Sequence, residues 1–455
     1  MPQYSKLCAC RRVRLKTSES PPFRKILGFA ERWLSLLIVC CVLVPVTIWP
    51  PYTNAPPIRS DGVGYHLWTR ALLQRNFKFC QWRSELDSVG AISFVDLNRG
   101  VCQDKFPPGL ALLRFPIMAP LIRSNGPLIS HSEHEASLFL GSITLGSVCA
   151  LLLSCSRMLN TSLWAAHCSV LAYVFGTGLF HYATYDGSFS HIYSAFVFAL
   201  LIWLWVRARS AVSRLPAFPL GVIAFFLVLI RNTNVFLIVL LMIGDLVINS
   251  KQRGVRMGIR QSIANTWPAL VGIAIGFFFQ LGYNFYATHA FTLSSYGGEH
   301  FVFNRPMQWA VLVSYERGLF TYYPIVAVAL ALGLIIQKSR ASTIWFAAIL
   351  ACFTLVYGFW HSWALGGGFG HRGFVELMPM GVPIFAVSLS ELRTRYKPVA
   401  FAFSLVAVFV TIELMSGYWS WSLPFAGTTR LVYWSHVIGK QSLLWRAAHR
   451  LGIAA

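Results

Sequence analysis

Asp61 stands in the run Ser60-Asp61-Gly62-Val63-Gly64-Tyr65, a carboxylate followed by a glycine-loosened turn and an aromatic stretch. Such a carboxylate suits general-base chemistry. A sugar-type hydroxyl ionises far above neutrality, and a positioned base that takes its proton speeds attack by about 10²–10⁴-fold. If the departing group is a phosphate, it already carries charge and needs cations, for which the arginine fork is the best partner. Arg231, Arg317 and Arg372 are the candidates. Asp186 and His191 share a short turn, Tyr185 to His191, and are candidate contacts to substrate hydroxyls. His371 and Arg372 close a loop containing Gly366-Gly367-Gly368, and Glu376 follows about one turn into the next helix, a plausible clamp for phosphate and sugar. Tyr65 either orients substrate or anchors at an interface. Plain structural roles exist for the others too: Asp61 as a helix cap, Asp186 as a turn cap, and Glu316 with Arg317 as an ion pair.

The elements that carry these residues are apolar. The chain has 455 residues, 56% of them hydrophobic and only 12% charged, with mean hydropathy +0.58. That composition excludes an ordinary soluble domain, and the apolar runs approach the roughly 20 residues that span hydrocarbon. The expected fold is an all-α polytopic membrane protein with about eleven spans, near 33–49, 135–154, 163–181, 189–206, 217–230, 234–248, 266–286, 320–336, 343–360, 374–390 and 398–416. Arg231-Asn232-Thr233-Asn234 separates 217–230 from 234–248, either as two short helices meeting inside the membrane or as a bent hairpin with its turn at cavity depth. An arginine there calls for an anion, either a bound phosphate or an acid such as Asp186 or Glu376.

The net charge of +22 would point to nucleic acid in a soluble protein. Here the basic residues lie mainly between apolar runs, so lipid headgroups and topology account for them and no nucleic-acid partner is expected. With the N-terminus cytoplasmic, more than half of the 38 Lys and Arg fall in inner segments, while most of the 16 acids map outside. The organisation read this way is a basic cytoplasmic segment 1–32, a membrane domain 33–416 whose outer loop 50–134 carries Asp61, and an outer tail 417–455. The setting is the cytoplasmic membrane, with the site on its outer face. Within the loop, Val63 to Lys78 reads as an amphipathic helix lying along the membrane surface, with Tyr65, Leu67, Trp68, Ala71, Leu72 and Phe79 opposite Arg70, Gln74 and Arg75. The stretch 107–123, broken by Pro116 and Pro120, reads as a re-entrant or surface helix. Cys80 and Cys102 both lie in this loop and are able to pair in an oxidising compartment, although the sequence does not fix their separation. No spacing supports metal ligation by His191, His361 or His371. No cofactor is expected.

Asp-Gly-x-Gly-Tyr after the first span resembles the first-loop acidic motif of bacterial GT-C glycosyltransferases. The resemblance continues in order through Phe106-Pro107-Pro108-Gly109-Leu110, Gly176-Thr177-Gly178 to His191, Gly318-Leu319-Phe320, and Gly370-His371-Arg372-Gly373-Phe374-Val375-Glu376. Aminoarabinose transferase and protein O-mannosyltransferase are better-known relatives of that group. The resemblance implies a GT-C-like bundle, a polyprenyl-phosphate-linked sugar as donor, a glycan, glycolipid or protein as acceptor, membrane lipids as surroundings, and inversion at the sugar carbon. Many members carry paired acids in the first loop, whereas Ser60 precedes Asp61 here. The competing classes are a transporter or flippase of polyprenyl-linked glycans and an O-antigen polymerase or ligase. Internal repeats are not visible and the large loop comes first, which favours transfer.

Overall fold

A computed structural model describes residues 58–88, 95–96, 102–122, 128–210, 215–292, 295 and 299–450. The first apolar run, the basic segment before it, Arg214 and Tyr296-Gly297-Gly298 lie outside the described residues. Helix dominates. The first loop holds α1 (Asp61–Gln74), α2 (Arg83–Ser88), an antiparallel ribbon of β1 (Val95–Asp96) and β2 (Gln103–Asp104), and α3 (Gly109–Met118). The bundle follows with α4 (His131–Met158), α5 (Leu163–Phe175), α6 (Leu179–Thr184), α7 (His191–Ser210), α8 (Ala217–Ile230), α9 (Val235–Arg253) and α10 (Val255–Thr288). It closes with α11 (Gln308–Val313), α12 (Leu319–Tyr322), α13 (Pro324–Ile335), α14 (Gln337–Gly358), α15 (Met378–Glu391), α16 (Lys397–Trp419), α17 (Arg430–Val437) and α18 (Leu443–Arg450).

Seven helical segments among the described residues are long and apolar enough to cross a membrane: those built on α4, α7, α9, α10, α14, α15 and α16. The chain is therefore a multi-span helical membrane protein. Large apolar side chains face outward on α10 and α16, among them Phe278 at 74% and Phe403 at 62% exposure, an arrangement that suits hydrocarbon and not water. Three expected spans are shorter. α5, α8 and α13 have 13, 14 and 12 residues, or about 18–21 Å at the helical rise, against about 30 Å of hydrocarbon. Each is cut by a local feature: Gly176 after α5, extended backbone at Arg231 after α8, and Tyr323-Pro324 before α13. The break at 231–234 is a single 3-10 turn, Asn232–Asn234, between α8 and α9.

The first loop departs from the surface-helix expectation. α1 ends at Gln74, and Arg70, expected on its wet face, is buried and ion-paired. The reason is that protein covers both faces. One side packs with Phe79, Trp82 and Leu86 in the loop's own core, while the other meets α4. Ser130 and Glu133 form a capping box at the start of α4, and the same Glu133 accepts from Arg70 Nη2 at 3.3 Å and meets His66 Nε2 at 3.0 Å. A disulfide joins Cys80 to Cys102 across the loop. α3 has 10 residues, about 15 Å at the helical rise.

Candidate functional site

The two glycines of the Asp61 motif explain how the acid is held. A Cβ on Gly62 would come within 2.1 Å of Ser188 Oγ, and one on Gly64 within 2.1 Å of the Phe106 ring. α1 therefore sits flush on the 185–191 turn and on the Phe106-Pro107-Pro108 segment, and any side chain at either position would lever it away. Trp68 Nε1 donates to the Phe106 carbonyl at 2.7 Å, and the Tyr65 and Phe106 rings lie 4.6 Å apart. Asp61 opens the helix, and its carboxylate is not spent on capping. Its Oδ2 lies 3.0 Å from Arg372 Nη1 and its Oδ1 3.5 Å from Ser60 Oγ. Ser60 itself has φ 49°, in the region disfavoured for residues with a Cβ, so the backbone entering the motif is held against a local preference.

Asp61 lines a cavity of about 360 Å³ together with Tyr65, Lys105, Arg231, Tyr357 and Arg372. Four helix or loop ends converge there. Arg372 comes from the glycine loop before α15, which is pinned because Tyr182 and Tyr323 hydroxyls both donate to the Phe369 carbonyl, at 3.0 and 3.1 Å. Arg231 comes from the break between α8 and α9. Its Nη1, His191 Nδ1 and Glu376 Oε1 are mutually within 3.0 Å. The anion that an arginine between two apolar helices calls for is thus Glu376, with His191 filling the third corner. Lys105 enters from β2's end, 3.2 Å from Glu299, and His361 meets the other oxygen of Glu299 at 3.4 Å.

The structure does not bring every sequence candidate to this cavity. Asp186 is buried elsewhere, with Arg59 at 3.1 Å and His181 Nε2 at 2.9 Å. Trp419 Nε1 donates to His181 Nδ1 at 2.9 Å, which leaves Nε2 as the nitrogen carrying hydrogen toward Asp186. Burial pushes the Asp186 carboxyl up, but the Arg59 charge and the His181 hydrogen bond outweigh it and hold the group below the usual carboxylate range. Asp186 thus anchors the segment before α1 to the 185–191 turn. Arg317 is wholly buried beside Tyr322, away from the cavity lining. His371 is also buried, and its Nε2 donates to the Trp363 carbonyl at 3.0 Å, a loop-shaping contact. His191 and Glu376 stand behind Arg231, not in the lining.

Two residues that sequence reading passed over matter here. Lys105 adds a third cation to the cavity, and its only signal was its place just before Phe106-Pro107-Pro108. Arg59 neutralises Asp186, and its signal was its place two residues before Asp61. No protein-family model matches the chain, and no curated protein matches it in sequence.

Proposed function

We propose that the protein is a GT-C-like glycosyltransferase that moves a sugar from a polyprenyl-phosphate donor to a glycan, glycolipid or protein acceptor. The observation that carries this reading is the Asp61 carboxylate in one cavity with Arg372, Arg231 and Lys105. The Asp61 carboxylate, able to take a proton, shares the cavity with three cations able to hold a phosphate and with Glu299, which pairs with Lys105, at the end of a membrane bundle. In the reaction, the acceptor oxygen attacks the anomeric carbon and its proton passes to Asp61. The carbon–oxygen bond to phosphate breaks with its electron pair on the phosphate oxygen, which Arg372 and Arg231 receive. Attack opposite the leaving group inverts the sugar carbon. Arg317 and Asp186 take no part in this scheme, since neither lines the cavity.

The reading includes an eleven-span topology with the N-terminus cytoplasmic and the cavity at the outer face of the cytoplasmic membrane, the side toward which the acids are biased. It requires no metal. The test has two arms. Mass spectrometry of cell-envelope glycans with and without the gene should show the loss of one sugar substituent, and purified protein in vesicles should transfer sugar from a panel of polyprenyl-phosphate sugars to extracted acceptor. Unchanged glycans, together with lipid movement in vesicles that contain no acceptor, would replace the transferase with a flippase.

A further inference from the structure

A second hollow lies at the opposite end of the same helices. Arg231 before α9, Tyr357 at the end of α14 and Arg372 before α15 line the cavity just described, and His191, the first residue of α7, stands behind Arg231. Toward their other ends the four helices border a cleft of about 670 Å³, larger than the cavity, walled by residues such as Ile202, Leu241, Val247, Ala341, Ile384 and Val387. The apolar walls open sideways, since Val247 and Ile344 are 40% and 55% exposed. Lys251 and Lys338 stand on its lining at the basic end of the bundle. Deeper in, the Trp345 indole packs on Gly244, where a Cβ would meet Nε1 at 3.0 Å, and that Nε1 is buried without an acceptor among the described residues.

We infer that this cleft is a binding site for an anionic glycerophospholipid. The three features match the three parts of such a molecule in order. The apolar walls take an acyl chain, and Lys251 with Lys338 takes the phosphate. The indole donor, seven residues from Lys251 along α9 by way of Gly244 and so about 10 Å deeper, takes an ester carbonyl. Lys338 is shared with Glu391 at 2.6 Å, which leaves Lys251 as the principal phosphate contact. The inference does not depend on the reaction proposed for the first cavity.

Full-length protein in nanodiscs, released for native mass spectrometry, tests it with three probes of equal chain length: phosphatidylglycerol, phosphatidylcholine and a diether phosphatidylglycerol. Wild type should retain phosphatidylglycerol about five-fold over phosphatidylcholine, the worth of one lysine near a charged headgroup. Lys251→Glu should erase that preference. Trp345→Phe should lower diester retention to the diether level, and Ala341→Trp, which fills the cleft, should lose all three lipids. Equal retention of the charged and zwitterionic lipids by wild type overturns the inference. So does undiminished retention by Ala341→Trp, or displacement of phosphatidylglycerol by polyprenyl phosphate, which would give the cleft to the donor's tail. Should Ala341→Trp fail to fold, the exposed Lys251→Glu position still decides.

Discussion

Two carboxylate-to-amide changes of the same size separate catalysis from structure. In Asp61→Asn the lost interaction is an ion pair whose partners are 18% and 12% exposed. Both partners line the open cavity, where solvent and the new amide still reach the Arg372 guanidinium, so the loss should cost only about 1 kcal/mol, which for a chain of this size moves the melting temperature by a few degrees at most. The rate should fall far more, by about 10²–10⁴-fold, because the amide cannot take a proton. Asp186→Asn is the mirror image. Asp186 is 3% exposed, and its removal leaves Arg59, 16% exposed, beside Tyr185 without its counter-ion. Breaking a buried pair on one side costs about 3–5 kcal/mol, a large part of a typical 5–15 kcal/mol of total stability. The assay is sugar transfer per mole of folded protein, with folded protein counted by thermal unfolding in detergent. The expected result is a stable, inactive Asp61→Asn and a scarce Asp186→Asn whose surviving molecules are active. Near-normal turnover by Asp61→Asn, or a stable and inactive Asp186→Asn, refutes the assignment of roles.

Gly64→Ala drives a methyl group into the Phe106 ring, 2.1 Å from its ideal Cβ, whereas nothing lies within 4 Å of a Cβ at Gly282. The first should lose activity and thermal stability, and the second should match or exceed wild type by up to about 1 kcal/mol, read by melting temperature. Cys80→Ser opens a disulfide whose ends are 22 residues apart, and should lower stability by about 3 kcal/mol, with wild type under reductant behaving the same way. Asp104 is fully buried, and burial holds its carboxyl well above the ordinary 3.8. The folded state therefore keeps a proton that the unfolded state has lost, and stability falls as pH rises from about 3.8 toward the folded value. Asp104→Asn should flatten that fall and raise the melting temperature at neutral pH; an unchanged pH profile would contradict it.

Much of the frame was legible from hydropathy, because a span must be apolar over most of its length. Hydropathy did not give helix length, and three of the apolar runs hold helices of 12 to 14 residues. α5, α8 and α13 are apolar throughout, and their lengths are set by local breaks at Gly176, Arg231 and Tyr323-Pro324. Asp61, Arg231 and Arg372 were legible because charge beside or within apolar sequence has few neutral explanations. What could not be read was who faces whom. Asp186 and Asp61 look alike in sequence, each an acid before a glycine, Asp186-Gly187 and Asp61-Gly62. Their difference comes from Arg59, His181 and Arg372, which only the fold brings to them. Arg70 misled the helical wheel because a wheel assumes that water lies opposite the core, and here Glu133 does.

The Asp61–Arg372 pair also sets an order of events on the proposed reading. While Arg372 Nη1 lies 3.0 Å from Asp61 Oδ2, that oxygen is engaged by the guanidinium and is not free to meet an acceptor hydroxyl. A phosphate arriving at Arg372 competes for the same fork, and the carboxylate is released beside the acceptor only when donor is present. The energetic consequence is that donor phosphate must partly break the pair in order to bind. Asp61→Asn removes that opposition, so it should bind sugar-free polyprenyl phosphate more tightly than wild type, by up to about five-fold if the pair is worth about 1 kcal/mol. Arg372→Lys keeps the charge but loses the two-pronged contact, and should bind it more weakly. Titration of both variants with polyprenyl phosphate in detergent reads the two directions separately. If Asp61→Asn binds more weakly, phosphate does not compete with the carboxylate for Arg372, and the exchange is not how this cavity works.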